Sequence, residues 1–237
     1  MGGPLVEALV VLPYFERPVM VRNALESLRR NMDAEWRCVF IDDGSVARGE
    51  PIVREAFPDL VDRMEFVRCD DTVQDKIWQG GSRHPHYMNE AIARSRADVV
   101  IILCDDDALV EGSVKCLLDW YTAHPEAKWS YGKVSVFDPS KEPVPWGERR
   151  MNWFLNDAEG DIRPAWRVDS CQVSFRREWM PKYPEVNTVN NDATMFEGFQ
   201  RKHGLCPPNG LVVSYKGSFG DQLGRRPETD YYKVGVA

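Results

Sequence analysis

Between residues 6 and 107 short apolar runs alternate with amphipathic stretches. Residues 6–12 (Val-Glu-Ala-Leu-Val-Val-Leu) read as a buried strand stopped by Pro13. Residues 18–31 read as a helix, with Pro18 at its first position and Val21, Leu25 and Leu28 as one apolar stripe. Residues 36–41 (Trp-Arg-Cys-Val-Phe-Ile) form a second strand, ended by Asp42-Asp43-Gly44-Ser45. A short helix near 49–57, a short strand near 64–68 and a helix over 86–96 follow. Residues 98–104 (Asp-Val-Val-Ile-Ile-Leu-Cys) make the most apolar strand, and it runs directly into Asp105-Asp106-Asp107.

This alternation predicts an α/β fold with a mostly parallel, doubly wound, Rossmann-like sheet. Such sheets bind ligands beyond the carboxyl ends of their strands. If the strands are parallel, Pro13 to Glu16, Asp42-Asp43 and Asp105 to Asp107 lie on one rim. The second half is less regular. A helix near 112–123, strands near 129–136, 168–175 and 211–215, and a helix near 192–203 stopped by Gly204 are expected. Residues 138–165 and 217–237, rich in Gly, Pro and charge, read as loops. There is no internal repeat and no linker between the halves, so a single domain with two functional lobes is expected.

Composition sharpens this picture. The 237 residues suit one sizeable domain, and 43% hydrophobic with 28% charged residues is a globular balance. The net charge of −7 lies wholly in residues 1–118, with 21 acids against 14 bases; residues 119–237 hold 16 of each. That argues against general nucleic-acid binding, which needs a basic footprint. No apolar run approaches the roughly 18 residues of a membrane span, and the N-terminus lacks the basic region of a signal peptide. Val6 stands where myristoylation would want Ser or Thr. Six scattered cysteines read as reduced thiols, so a cytoplasmic protein is expected.

Three consecutive carboxylates at the end of an apolar strand repel one another unless a cation joins them. Oxygen ligands suit a hard divalent ion such as Mn²⁺ or Mg²⁺, and Mg²⁺ commonly takes one or two carboxylates plus substrate phosphates. Asp42-Asp43-Gly44-Ser45 is a turn sequence in its own right, and its predicted place beside the triple aspartate gives it a second meaning.

Strand-Pro13-Tyr14-Phe15-Glu16-Arg17, then Val39-Phe40-Ile41-Asp42-Asp43-Gly44-Ser45, then Ile101-Ile102-Leu103-Cys104-Asp105-Asp106-Asp107 resembles the family 2 glycosyltransferases of the GT-A fold. The resemblance is strong to about residue 118, thinner to about 216 and absent in the tail. It implies a donor lobe over 1–118, an acceptor lobe over 119–216 and a tail over 217–237 that could serve as a lid. It further implies that the segment at Pro13, Tyr14 and Glu16 lines a nucleotide pocket with Asp42, and that Asp43 accepts a hydrogen bond from the base. Arg83, six residues before Asn89, falls where some members set an arginine against the nucleotide. Asp105 would hold the ribose, and Asp106 or Asp107 the metal on the diphosphate; which of Asp105, Asp106 and Asp107 ligate is left open by one residue. Asn191-Asp192 is similar to the family's acidic pair opening a helix, which makes Asp192 the catalytic base; a helix cap is its other reading.

The implied reaction is an inverting displacement, in which Asp192 takes a proton from an acceptor hydroxyl and a cation stabilises the leaving nucleoside diphosphate. A UDP-sugar is the favoured donor and a soluble acceptor is expected. Four positions depart from the pattern: Glu16 where Asn is common, Cys104 at an often acidic position, Asn191 before Asp192, and Lys216 where some relatives carry a metal-binding His. A protonated lysine cannot ligate, but it could meet the diphosphate directly. Trp153 and Trp166 are candidates for stacking on an acceptor sugar, with burial as the alternative. His84-Pro85-His86 lacks the third ligand of a zinc site and reads as a loop near the nucleotide. Two alternatives stand beside the transferase. One is a sugar nucleotidyltransferase, whose glycine-rich phosphate loop is missing after the first strand. The other is a non-catalytic nucleotide-sugar-binding scaffold on the same fold.

Overall fold

A computed structural model describes residues 7–69, 84–137, 170–184, 191–204 and 207–217. In chain order these hold β1 (Ala8–Tyr14), α1 (Val21–Arg29), β2 (Trp36–Asp42), α2 (Gly49–Ala56), β3 (Met64–Arg68), α3 (His84–Arg94) and β4 (Val99–Ile102). After these come β5 (Ala108–Leu109), α4 (Ser113–Ala123), β6 (Trp129–Phe137), β7 (Val173–Arg176), α5 (Asn191–His203) and β8 (Pro208–Gly217). Short 3₁₀ turns precede β3 and β7.

All eight strands form one sheet in the order β3-β2-β1-β4-β7-β6-β8-β5. The first four pair in parallel, with Val10 opposite both Cys38 and Ile101. β7 enters antiparallel between β4 and β6, and β5 lies antiparallel on β8. Six strands therefore run one way and two the other, the mostly parallel α/β sheet that the alternation predicts. Helices cover both faces. Val10, Leu12, Phe40 and Ile101 pack with Leu25 and Leu28 of α1 and Val114 and Leu117 of α4. Leu9, Val11, Ile41 and Val100 pack on the other face with Met88 and Ile92 of α3 and Phe196 and Phe199 of α5. Burial on both faces is why these strands carry continuous apolar runs rather than alternation. Trp129, from the tryptophan-rich half, belongs to this second core and lies edge-on to Phe199 at 5.0 Å between ring centroids.

Several element boundaries differ from expectation: the helix expected over 86–96 spans His84–Arg94, and the strand expected near 168–175 begins at Val173, after a 3₁₀ turn over Ser170–Gln172. The helix over 18–31 starts at Val21, whose N–H is the first of the pair to reach back four residues, to Arg17 O at 3.0 Å. Pro18 sits in the preceding turn. At the other end Asn31 leaves the helix and becomes a fully buried junction. Its Nδ2 donates to Val110 O at 3.0 Å, its Oδ1 accepts from Val114 N at 3.1 Å, and its main-chain O accepts from Trp36 Nε1 at 2.8 Å. One amide thus ties α1 to β2 and supplies the start of α4, whose own flanking residue, Gly112, has no side chain to cap with.

α2 approaches the sheet closely because its first residue is glycine. A Cβ on Gly49 would lie 2.3 Å from Phe40 Cε1 and 2.8 Å from Tyr14 Cδ1, inside two buried rings. Gly49→Ala is expected to lower unfolding free energy by about 1–3 kcal/mol, the usual cost of overpacking. Urea denaturation measures this; an unchanged midpoint would contradict the packing.

Candidate active site

The parallel pairing of β1, β2 and β4 brings their carboxyl ends to one rim. Hydrogen bonds between the loops fix them there. Phe15 N donates to Asp105 Oδ2 at 2.9 Å, and Asp43 N donates to Tyr14 O at 2.9 Å. Arg17 reaches the same place, its Nη1 lying 2.8 Å from Asp105 Oδ1 and 2.7 Å from Asp106 Oδ2. Burial alone would lower the proton affinity of this guanidinium, but Asp105 and Asp106 outweigh it and hold Arg17 above its ordinary range.

The residues expected to line the nucleotide pocket fall into two groups. Tyr14 and Asp42 are turned into the protein. Tyr14 packs on Phe40 and donates to Ala47 O at 2.5 Å. Its burial, then Asp42, Glu16 and Asp105, push the phenol well above its usual range. Asp42 accepts from Ser45 N at 2.7 Å and from Gly49 N, the first residue of α2, at 3.1 Å, and Arg68 meets it at 3.2 Å. These polar atoms organise the β2–α2 turn. Pro13, Glu16 and Asp43 border the rim itself. Glu16 has φ +50°, a left-handed conformation that an ordinary residue adopts at a cost of about 1–2 kcal/mol. Its N–H donates to Ser45 Oγ at 3.1 Å, and its carboxylate accepts from Val46 N and Ala47 N. Asp43 is buried, with His84 Nδ1 3.5 Å from its Oδ2. His84 opens α3, so His84-Pro85-His86 is the first turn of a helix and not the loop expected there.

Beyond β4 the chain turns back, with Asp107 N donating to Cys104 O at 3.1 Å. The turn gathers Cys104 Sγ and one carboxylate oxygen each of Asp106 and Asp107 within 4.8 Å of one another. Asp105 lies outside this set, because both of its oxygens are directed at Phe15 and Arg17. The two buried carboxylates fit a hard divalent cation that takes its remaining ligands from water and a phosphate donor, whereas the soft Cys104 thiol is a poor ligand for such an ion. Ala108 of β5 is paired with Tyr215 of β8, so the next step of the register brings the backbone of Lys216 beside that of Asp107. Arg83, Trp153, Trp166 and residues 218–237 of the tail lie outside the described residues, as does the side chain of Lys216.

Asp192 stands in the first turn of α5, half-buried. Its Oδ2 accepts from Ser170 Oγ at 3.0 Å, and Ser170 Oγ lies 3.1 Å from the Tyr183 hydroxyl. Tyr183 is held in turn by Asn89 of α3, which accepts from its N–H at 2.7 Å and donates to its carbonyl at 2.9 Å. Neither Ser170 nor Tyr183 was expected at the site. Both lie in irregular segments, and the polar chain that joins them spans elements up to 94 residues apart.

Residues 9–183 match the pattern of the Glycosyl transferase family 2, which is most of the chain. The chain belongs to this family. Among curated proteins it is similar to Protein CgeD of Bacillus subtilis (strain 168), 21% identical over 168 residues, covering 71% of the chain and 38% of CgeD. Among solved structures it is similar to S. aureus TarS 1–349 in complex with UDP-GlcNAc, with a TM-score of 0.63, 15% identity, and 90% of the chain against 59% of that structure. It is also similar to the mannosyltransferase PcManGT from Pyrobaculum calidifontis in complex with GDP-Man and Mn²⁺, with a TM-score of 0.59, 15% identity, and 96% of the chain against 59% of that structure. The chain thus spans less than two thirds of each of these relatives. The family 2 glycosyltransferase carries the GT-A fold, and among its described residues no helix is long and apolar enough to cross a membrane.

Proposed function

We propose that this family 2 glycosyltransferase moves a sugar from a nucleoside-diphosphate sugar to an acceptor hydroxyl by inverting displacement. The observation that carries the proposal is the placement of Asp43 and of the Cys104, Asp106 and Asp107 cluster after the carboxyl ends of strands that pair in parallel with β1. The presence of UDP-GlcNAc in a TarS structure, and of GDP-Man with Mn²⁺ in PcManGT, supports a nucleotide-sugar donor and a divalent cation. A UDP-sugar is the favoured donor.

Each residue has a role in this reading. Asp43, steadied by His84, accepts a hydrogen bond from the base, and Pro13 with the Glu16 loop forms the wall beside it. Tyr14 and Asp42 hold that wall from behind. Asp106 and Asp107, with Cys104 in reach, would hold Mn²⁺ or Mg²⁺, which neutralises charge on the leaving diphosphate. Asp192 takes the acceptor proton, Ser170 fixes one of its oxygens, and the acceptor oxygen attacks the anomeric carbon opposite the diphosphate. Arg83 and Lys216 are assigned to the nucleotide and diphosphate, Trp153 and Trp166 to an acceptor sugar, and residues 119–216 to the acceptor lobe.

A thermal-shift series tests the donor. UDP, GDP, UDP-GlcNAc and GDP-Man are each added with and without Mn²⁺. A ligand at a hundred times its Kd adds about 2.7 kcal/mol, so a clear rise in Tm is expected for at least one of them with Mn²⁺. No rise with any of them would remove the proposal. Strong stabilisation without nucleoside diphosphate release would instead favour the non-catalytic binding protein.

A further inference from the structure

Asp106 is shared between two partners. It belongs to the ligand cluster with Cys104 and Asp107, and its Oδ2 is also 2.7 Å from Arg17 Nη1. The arginine is held in place as firmly as the acids. Its side chain is only 18% exposed, its second contact is Asp105 at 2.8 Å, and Asp105 is itself anchored by Phe15 N. The residue before it, Glu16, is fixed in its left-handed conformation by Ser45, Val46 and Ala47. Two cations on one carboxylate repel at short range, and more strongly where water is scarce.

We propose that Arg17 is an internal counter-ion that holds Asp106 in the absence of donor and releases it to a divalent cation when a nucleoside diphosphate arrives. This rests on the reading of the rim as a metal-assisted donor site. A diphosphate provides what Arg17 gives up, since phosphate oxygens accept the paired N–H groups of a guanidinium. A cation alone must displace Arg17 from Asp106 and leave the guanidinium with Asp105 as its one carboxylate partner of the pair. A cation arriving with a diphosphate does not face that cost, so the two ligands favour each other, and by linkage each tightens the other by the same factor.

The test follows Mn²⁺ binding through the electron paramagnetic resonance signal of the free ion. Wild type, Arg17→Gln and Arg17→Lys are titrated with and without UDP, allowing for the Mn²⁺ that UDP itself holds. UDP is expected to tighten Mn²⁺ binding to wild type by about tenfold or more, within the usual span of coupling energies. Arg17→Gln is expected to bind Mn²⁺ alone about tenfold tighter than wild type and to gain less from UDP. Arg17→Lys, which keeps the charge, should stay near wild type. Arg17→Gln binding Mn²⁺ no tighter than wild type, with UDP still tightening both, overturns the role of Arg17 and leaves the donor site standing. Wild type that binds no Mn²⁺ even with UDP overturns both. If circular dichroism shows that Arg17→Gln does not fold, the wild-type chain decides. The guanidinium ¹⁵N resonance of Arg17 is expected to shift with Mg²⁺ plus UDP but not with Mg²⁺ alone. A shift with Mg²⁺ alone, or none with both, overturns the proposal.

Discussion

Asp192→Asn is expected to lower kcat by about 10²–10⁴-fold, the usual worth of a positioned general base, while donor affinity stays within about twofold. The substitution separates two roles that a carboxylate in this place combines. A helix N-terminus favours a carboxylate electrostatically and is capped by it. Asparagine caps about as well as aspartate, so stability is expected to change by only a few tenths of a kcal/mol. It also keeps an oxygen for Ser170 Oγ, which now lies 3.0 Å from Asp192 Oδ2. What it loses is the ability to take a proton. Release of nucleoside diphosphate from the donor, with parallel urea denaturation, reads both quantities. A stable variant with wild-type turnover would leave Asp192 as a cap and move the base elsewhere.

Asp107→Ala is expected to remove the Mn²⁺-dependent part of donor stabilisation and to cut turnover by about 10²–10³-fold, as losing one charge-stabilising group does elsewhere. Asp107 is fully buried, its backbone N–H closes the turn to Cys104, and its carboxylate belongs to the cluster with Cys104 and Asp106. Asp106→Ala should act similarly on the cation but also leaves Arg17 with Asp105 alone. Asp105→Ala should behave differently. It frees Phe15 N and Arg17, so its first effect is on the β1–α1 loop rather than on the cation. The readout is a melting curve with UDP-GlcNAc at several Mn²⁺ concentrations. An Asp107→Ala chain with undiminished Mn²⁺ response would sink the assignment.

The features legible in the sequence were those written by burial on two faces. Continuous apolar runs mark β1, β2 and β4 because helices cover both sides of them, and their ends could be placed on one rim before any coordinates. β5 was not legible, because two residues carry no periodicity; it exists because β8 offers an edge for Ala108 and Leu109. The direction of β7 was hidden as well, since an apolar run reads the same in either sense. At the site, the residue types were visible but not their aim. Asp42 and Asp43 are adjacent and chemically identical, and a strand end sends one into the turn and the other toward His84. Asp105 and Asp106 share Arg17, which is 88 residues from Asp105 in the chain, and no local pattern announces a contact of that range.

Glu16 adopts the left-handed region, which asparagine enters with several-fold greater ease. In this chain the conformation is stabilised from outside, by three groups of the loop that follows β2: Ser45, Val46 and Ala47. The two loops are therefore a single unit of inheritance. A chimera that imported the first loop from a relative would leave the amides of Val46 and Ala47 without their carboxylate. One that imported only the second would strand Glu16 in a conformation nothing supports. A change at either loop is felt at the other, so the two are exchanged safely only together.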